Sequence, residues 1–526
     1  MKKTLPALFL VTALVAVLAG PRARQEEVWD QSLEKVGALA AAVEKHYYRA
    51  VEPEKMAQES IKGMLQTLDP HSYFLGPDDF ARMFEEQRGK YYGIGTQIQK
   101  QEDRLIVIAP IEGGPAWRLG VQAGDIISKI NGESTKSFTS QDAVDKLRGP
   151  KGTKVNITIT RERFDKPIEL TITREEIPLY SVPYAFILNE EQGVGYIFIR
   201  NFAETTADEF ADKLAFLAGK GMKSLVLDLR GNPGGALDPA IKIADQFLPR
   251  GALIVSVKGR NRIYDHDFPA TRNGQYEKLP LIVLINQGSA SASEIVAGAV
   301  MDHDRGLILG EDSFGKGLVQ TVFPLASNMA FALTIAKYYT PSGRLIQRDY
   351  SHYDDYILDA KTSPENAREV KFTDKGRKVL GQGGITPDVE VKFTLLVYTV
   401  ELRAQGAFFT YARKFIGHQT PLSKKYAFPQ DGKDAAAADP GQVRVVKPFV
   451  VDASVVEDFK EYVLTNKLRF DEKAFGLADG EIRREIEREM SSAIWGIEEG
   501  WRAFERKDPV ILKALQMMPE AAKFLN

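Results

Sequence analysis

The sequence predicts a multidomain α/β protein with helical regions in its N-terminal and C-terminal parts. Two apolar runs, Leu225–Leu229 and Leu281–Ile285, each end at a loop of small residues and are followed by a helical pattern, which indicates buried strands joined to helices. The chain has 526 residues, of which 44% are hydrophobic. This length suffices for three or four domains with a sizeable core.

The N-terminal segment has the pattern of an export signal. Lys2 and Lys3 precede an uncharged run from Thr4 to Ala19, and Val17-Leu18-Ala19 supplies a small-residue cleavage site. We therefore predict a signal peptide over residues 1–19 and a location in the periplasm or cell envelope of a bacterium. An uncleaved anchor that keeps the protein near a membrane is the alternative.

Residues 25–87 are predicted to form an N-terminal helical region. Glu26–Tyr48 has apolar residues near helical spacing, and Pro53 opens a second helix that runs through Leu65. The apolar stripe of the first helix fits either packing within one chain or association of copies into a homo-oligomer.

Residues 88–176 are predicted to form a small β-barrel module that binds peptides. Two glycines shape the segment Gly93, Ile94, Gly95 and Thr96, whose N–H groups can receive a C-terminal carboxylate. The strand that follows can pair with the bound peptide. The other predicted elements of the module are the helix Thr139–Leu147 and the strands Lys154–Thr160 and Pro167–Thr173.

Residues 177–395 contain two short motifs that predict a hydrolase. The segment G-S-A-S-A-S-E-I starts at Gly288, directly after a buried strand, and F-G-K-G surrounds Lys316. A serine between a strand and a helix lies beside free amides that can hold an oxyanion, and a desolvated lysine can serve as its base. The residue types alone do not choose among Ser289, Ser291 and Ser293.

Together the motifs resemble those of the carboxyl-terminal processing proteases, which are serine peptidases with a serine/lysine dyad and an embedded PDZ domain. The resemblance runs from about residue 65 to residue 391 and includes the segments 338–344 and 384–388, with a charged insertion over residues 348–383 between them. It implies a crotonase-like strand-helix core. It also implies that Ser291 is the nucleophile, Lys316 the base and Gln320 the residue that orients the lysine.

The resemblance further implies two oxyanion donors, both of them backbone N–H groups. One belongs to Ala292, the residue after the nucleophile. The other belongs to a glycine in the turn that follows the strand Leu225–Leu229, and we choose Gly235 because glycine lets a substrate carbonyl approach the backbone.

The implied function is a serine endopeptidase that cleaves protein substrates near their free C-termini, which the PDZ domain would hold. One alternative is a catalytically silent PDZ adaptor that presents C-termini to another protease, but the intact Ser291, Lys316 and Gln320 argue against it. A crotonase-type acyl-CoA enzyme is a third reading, and the PDZ domain and the serine/lysine pair both disfavour it.

Composition excludes several other classes of function. A net charge of −2 offers no nucleic-acid footprint, and the absence of cysteine excludes disulfides, thiol nucleophiles and lipoprotein attachment. Asp265-His266-Asp267 and Asp302-His303-Asp304 resemble metal ligand sets, yet alternating residues in one stretch seldom converge on one ion. We predict no metal and no cofactor. Asp302 alone matches a functional aspartate of some relatives, with solvation of a helix end as the equal alternative.

Residues 396–526 are predicted to form a C-terminal helical extension with a linker at 431–442. Phe393–Phe415 has a helical pattern, and Glu481–Met490 places Ile482, Ile486 and Met490 on one face. That face fits a partner or internal packing, and packing is favoured.

Overall fold

The computed structural model describes residues 28–161, 164, 166–326, 328–351, 356, 368–393, 395–429 and 442–525. The predicted signal peptide, nearly all of the predicted linker and a large part of the charged insertion therefore lie outside the described residues. The chain forms two compact units, one of residues up to 76 with 322–333 and the other of residues 77–321 with those from 334 onward. Among the helices that the structure describes, none is long and apolar enough to cross a membrane.

The smaller unit begins with two helices and a short strand: α1 (residues 28–46), α2 (Pro53–Gln66) and β1 (Tyr73–Leu75). Strand β1 pairs antiparallel with residues 330–332. The apolar side chains of α1 are more than half exposed, so packing within the described chain does not account for the stripe of this helix. They are Val28, Trp29, Leu33, Val36 and Leu39.

The larger unit starts with α3 and a β-rich module. Its elements are α3 (Pro77–Arg88), β2 (Lys90–Gly93), β3 (Thr96–Gln101), β4 (Arg104–Pro110), α4 (Pro115–Arg118), β5 (Ile126–Ile130), β6 (Glu133–Ser134), α5 (Ser140–Leu147), β7 (Lys154–Thr160), β8 (Ile168–Thr173) and β9 (Glu175–Pro178). One sheet has the order β3-β4-β5-β7-β8 with β6 beside β5, so β3 lies at an edge. Strands β2 and β9 pair with each other and bring the two ends of the module together.

Helix α5 shows how local sequence sets the bounds of an element in this module. The side chain of Thr139 accepts a hydrogen bond from the amide of Asp142, and the Asp142 carboxylate accepts one from the amide of Thr139 at 2.8 Å. These reciprocal bonds satisfy two amides that a helix start leaves without partners. Ala143 and Leu147 then face the core of the module, as the sequence predicts.

The core follows the module along the chain. Its elements are β10 (Ala185–Asn189), β11 (Val194–Phe198), α6 (Thr206–Gly219), β12 (Ser224–Asp228), α7 (Leu237–Ala244), β13 (Leu253–Gly259), β14 (His266–Pro269), β15 (Leu281–Ile285), α8 (Ala292–Asp302), β16 (Leu307–Gly310), β17 (Leu318–Pro324), β18 (Ala330–Tyr339), β19 (Val370–Phe372), β20 (Lys378–Leu380) and β21 (Val389–Glu390).

The central sheet has the order β10-β11-β12-β15-β16-β21, and all its neighbours are parallel except β10 and β11. The carboxyl ends of β12, β15 and β16 therefore meet at one edge. Every residue of β12 and β15 is buried, because helices cover both faces of the sheet. Helices α6, α7 and α8 pack on one face. Residues of the last helix, including Val510, Ile511 and Met518, pack on the other.

A C-terminal helical extension completes the larger unit. Its elements are α9 (Val397–Ala404), α10 (Ala407–Ile416), β22 (Tyr426–Ala427), β23 (Val443–Arg444), α11 (Ala453–Thr465), α12 (Glu472–Leu477), α13 (Asp479–Trp495), α14 (Ile497–Glu505) and α15 (Pro509–Lys523). The predicted stripe of Ile482, Ile486 and Met490 is fully buried in the core of the extension, so its role is internal packing.

The segment Phe393–Phe415, predicted to be helical, contains the two helices α9 and α10 with a break between them. Gly406 has φ +66°, and a side chain there would meet the Gln101 amide nitrogen at 1.9 Å. A side chain at Gly124 would likewise meet Arg413 of α10 at 1.4 Å. The extension therefore packs directly against the β-rich module at two points.

Candidate active site

Ser291 lies at the junction of a buried strand and a helix. Strand β15 ends at Ile285 and helix α8 begins at Ala292, so Ser291 is the last residue before the helix. Its backbone has φ 54° and ψ −111°, a conformation that residues other than glycine rarely adopt. Such a conformation costs about 1 to 3 kcal/mol and persists where the surrounding structure determines it, as at functional sites.

The structure distinguishes the three serines of the motif. Ser289 is fully buried, and its hydroxyl donates to the Leu229 carbonyl at 2.8 Å. Ser293 is also fully buried, and its hydroxyl donates to the Asn232 carbonyl at 2.9 Å. Ser291 is partly exposed. The hydroxyls of Ser289 and Ser293 thus bond the loop to the turn that follows β12, whereas Ser291 is partly exposed to solvent.

A buried carboxylate joins the serine segment to the lysine segment. Oε2 of Glu294 accepts hydrogen bonds from the amide of Ser291 at 2.7 Å and from the amide of Lys316 at 2.9 Å. Its Oε1 accepts from the Ser313 hydroxyl at 2.5 Å and from the Gly315 amide at 2.7 Å. Burial raises the pKa of Glu294 to about 7, against the opposing effect of these four donors.

Tyr338 of β18 forms a second link between the two segments. Its hydroxyl donates to the Lys316 carbonyl at 2.5 Å and lies 3.1 Å from the Ser291 carbonyl oxygen. The side chain is almost completely buried, and burial raises its pKa well above the ordinary value. Glu294 and Tyr338 thus hold the main chains of Ser291 and Lys316 side by side. Sequence reasoning assigned neither residue, although both lie within quoted family segments.

The strand-exit turn after β12 lies directly against Ser291. Gly234 has φ +95°, and a side chain there would meet the Ser291 Cβ at 2.8 Å and the Ala292 nitrogen at 2.9 Å. The Asn232 side chain fixes this turn by accepting a hydrogen bond from the Gly234 amide at 2.9 Å. Glycine at position 234 is therefore required by the close approach of two backbones. The sequence analysis singled out only the neighbouring Gly235.

Gly235 has φ +142°, and a side chain there would meet the Phe202 carbonyl oxygen at 2.1 Å. Within the described part of the chain, the amides of Gly235 and Ala292 have no hydrogen-bond acceptor. Both amides belong to segments that meet at Ser291. Unpaired amides at a strand exit and at a helix start can donate to an oxyanion, and that Gly235 and Ala292 do so stays a prediction.

Lys316 and Gln320 flank the start of β17. Lys316 is partly exposed and precedes the strand, and the Gln320 side-chain amide donates to the Thr334 hydroxyl at 3.2 Å. Alternation along extended chain places residues 316 and 320 on the same side. That Gln320 orients Lys316 stays a prediction.

An ion cluster connects the strand-exit turn to the C-terminal extension. Arg230 pairs with Asp228 at 2.6 Å, with Asp508 at 3.1 Å and with Glu505 at 3.4 Å. Asp508 also pairs with Arg484 at 3.2 Å, and all three carboxylates are buried. Burial raises the pKa of Glu505 to about 8, while Arg230 acts in the opposite direction. The turn that carries Gly234 is thus held partly by the extension.

The two Asp-His-Asp segments have other partners. Asp302 is buried and accepts hydrogen bonds from Arg344 at 2.7 Å and from the Ser342 amide at 3.0 Å, so it is not a solvated helix end. His303 lies 2.7 Å from an Asp374 oxygen. Among the described residues, no group of three or more histidine and acidic side chains is arranged to hold a metal ion.

The predicted carboxylate-binding loop lies where β2 passes into β3. The Gly95 carbonyl accepts a hydrogen bond from the Ile111 amide at 2.8 Å, and Gly95 has φ +72°. The Ile94 side chain is buried in the module's core, so only its backbone is available to a peptide. Gly93 ends β2, and Thr96 begins the edge strand β3. An edge strand can pair with an added peptide strand.

Comparison with known proteins identifies the families that the core and the β-rich module match. Residues 193–356 match Peptidase family S41, and residues 106–161 match the PDZ domain. The carboxy-terminal-processing protease of Bartonella bacilliformis is 39% identical over 343 residues, which cover 64% of this chain and 78% of that protein. The carboxy-terminal processing protease CtpA of Bacillus subtilis is 34% identical over 366 residues, covering 67% and 77%. A solved structure, the photosystem II D1 C-terminal processing protease, is 27% identical, covers 66% of this chain and 85% of its own, and has a TM-score of 0.36.

The fold and these matches define a serine-type peptidase with an embedded PDZ domain. The chain belongs to the carboxy-terminal processing proteases of peptidase family S41. The predicted fold class and the predicted enzyme class are both confirmed.

Proposed function

We propose that the chain is an endopeptidase that cleaves protein substrates near their C-termini through a Ser291/Lys316 dyad. The observation that carries the proposal is the double link through Glu294 and Tyr338, which fixes the main chains of Ser291 and Lys316 beside each other. Neither link is needed for a PDZ adaptor without catalytic activity. The partly exposed Ser291 beside the two unpaired amides supports the same reading.

The proposed reaction has two stages. Lys316, in its neutral form, accepts the proton of the Ser291 hydroxyl as Oγ attacks the scissile carbonyl carbon, and Gln320 orients the lysine. The amides of Gly235 and Ala292 donate hydrogen bonds to the resulting oxyanion. The C–N bond then breaks, and Lys316 returns the proton to the leaving amine. Water hydrolyses the acyl-enzyme by the same path, and Ser291 regains its proton.

The PDZ domain is proposed to hold the free carboxyl end of the substrate through the backbone of Gly93, Ile94, Gly95 and Thr96. The bound tail would continue as an added strand beside β3, which is an edge strand of the module's sheet and follows the loop directly. Tethering of the tail raises the local concentration of the scissile segment at the active site.

The test is to incubate the purified protein with an unstructured protein substrate and to map the cuts by mass spectrometry. Ser291→Ala and Lys316→Ala should each abolish turnover in a folded protein, and the double variant should be little worse, because residues that act as a unit are not additive. Ser289→Ala and Ser293→Ala serve as controls that should affect stability more than chemistry. Activity that survives Ser291→Ala would refute the assignment of the nucleophile.

We also propose export to the periplasm or cell envelope, on the basis of the basic start and uncharged run in residues 1–19. Fractionation of cells that produce the full chain would place the protein and show whether this segment is removed. Recovery of the unprocessed protein in the cytosol would contradict the proposal.

A further inference from the structure

A cavity of about 1090 Å³ lies among the PDZ domain, the carboxyl edge of the central sheet and the C-terminal extension. Thr96 and Gln97 of β3 line it on the PDZ side. Gly231 and Asn286 line it on the sheet side, where the Gly231 amide donates to the Asn286 side chain at 2.8 Å. The cavity therefore extends from the edge strand of the PDZ domain to the turn that leads to Gly234.

The extension supplies an apolar wall to this cavity. Val400 of α9 is 47% exposed, Ile497 of α14 is 55% exposed, and both line the cavity together with Tyr180, which is 56% exposed. Single exposed apolar side chains are common on proteins. Three of them that come from separate segments and line one cavity indicate a surface for apolar groups.

Two arginines that line the cavity have ion-pair partners. Arg148 pairs with Glu85 at 2.6 Å, and Arg403 pairs with Glu485. These pairs reduce the charge that the two arginines present to a ligand, and the exposed apolar side chains of the lining add a source of selectivity for apolar groups. The extension also packs on the PDZ domain at Gln101, and this contact fixes the position of the extension's apolar wall relative to β3.

We propose that this cavity holds the stretch of substrate polypeptide between the PDZ-bound tail and the scissile bond, and that Val400 and Ile497 select apolar side chains in that stretch. The inference rests on the proposed function. The occupant follows from continuity. One end of the cavity is the strand on which a tail would pair, and the other is Gly231, which belongs to the same turn as Gly234, the glycine that lies against Ser291. The volume is large enough for several residues of extended chain, which advances roughly 3.3 Å per residue.

The test uses two peptides with the same C-terminus and the same scissile segment. In one the intervening residues are leucine and valine, and in the other they are serine and asparagine. Wild-type protein should cleave the apolar peptide with a KM about five- to tenfold lower, the effect of burying one or two apolar groups. Ile497→Ser and Val400→Ser should each reduce this preference about threefold or more, with kcat unchanged.

Leu477→Ser is the matched control, because Leu477 is 69% exposed on α12 of the same extension and does not line the cavity. It should leave the preference intact. Binding of both peptides to the Ser291→Ala protein, measured by fluorescence anisotropy, gives a readout that needs no turnover and should show the same preference. Equal affinity for the two peptides, or a preference untouched by Ile497→Ser and Val400→Ser, would overturn the inference. Loss of the proposed function would instead appear as wild-type protein that binds the peptides and cuts neither.

Discussion

Glu294→Gln should disturb the active site strongly, although glutamine and glutamate have nearly the same size and shape. The carboxylate accepts four hydrogen bonds, and a glutamine of the same shape presents one NH2 group where an acceptor stood. If the NH2 group takes the Oε1 position, Ser313 can turn to accept from it, but the Gly315 amide then faces a donor. Each lost bond to a charged acceptor is worth about 1.5 to 3 kcal/mol.

The same substitution removes a titrating group, so its effect on stability depends on pH. The pKa of Glu294 is raised from 4.5 to about 7 in the folded protein, mainly by burial. Its contribution to the free energy of unfolding is therefore complete below pH 4.5 and falls by about 3 kcal/mol as pH rises through 7. In Glu294→Gln this fall should be absent, and the difference between the two proteins should shrink as pH increases.

The assay combines denaturant unfolding of the folded core at several pH values with steady-state kinetics. We expect kcat to fall about 100-fold, because the amides of Ser291 and Lys316 lose their common acceptor and small displacements of reacting groups are costly. Glu209→Gln is the matched control, since the Glu209 carboxylate also accepts a backbone amide, that of Val182 at 2.8 Å, far from the dyad in sequence. A Glu294→Gln protein with kcat within about twofold of wild type and the wild-type dependence of stability on pH would refute this reasoning.

Three further predictions concern the turn, the ion cluster and the PDZ loop. Gly234→Ala should lower kcat about 100-fold with KM little changed, because the new methyl group would press on Ser291. Steady-state kinetics measures both constants, and a wild-type kcat would contradict the close approach of Gly234 to Ser291. Asp508→Asn should destabilise the folded protein by about 2 to 3 kcal/mol, since the partly buried Arg230 loses one of three acidic partners. An unchanged denaturation midpoint would show that the cluster is not coupled to stability. Amidation of a substrate's C-terminus, or Gly95→Trp, should weaken cleavage of tailed substrates, and identical kinetics with an amidated tail would rule out tail recognition.

Local patterns in the sequence predicted most elements, because their causes are local. Strand β7 has the predicted bounds Lys154–Thr160, and α5 starts after Thr139 because the capping residues are adjacent in sequence. The break at Gly406 could have been suspected from the glycine, but its cause is the approach of Gln101, which no local pattern contains. The exposed apolar stripe of α1 shows a different limit. Helical periodicity predicts that α1 has an apolar face, but it does not predict which surface packs on that face.

The candidate site likewise contains residues that local sequence patterns indicate and residues that only the tertiary structure brings together. The order of strand, small-residue turn and helix along the chain points to the serine segment and to the turn that contains Gly235, whereas the choice of Ser291 and Lys316 rests on the family resemblance. The roles of Glu294 and Tyr338 could not be predicted from spacing, because each joins segments that are 22 to 47 residues apart in sequence. Such contacts depend on how β18 and the lysine segment fold back over α8, which is a property of the tertiary structure.

The position of α15 has a consequence for biosynthesis. All strands of the central sheet have been synthesised once β21 is complete. Val226, Ile282 and Leu284 nevertheless remain exposed apolar residues on one face of the sheet until residues 509–523 are synthesised and pack on it. A nascent chain therefore contains Ser291 long before this face of its sheet is covered, and a product that ends before residue 509 would tend to aggregate or be degraded. We therefore expect a covered sheet, and with it peptidase activity, only after residues 509–523 have been synthesised and have docked.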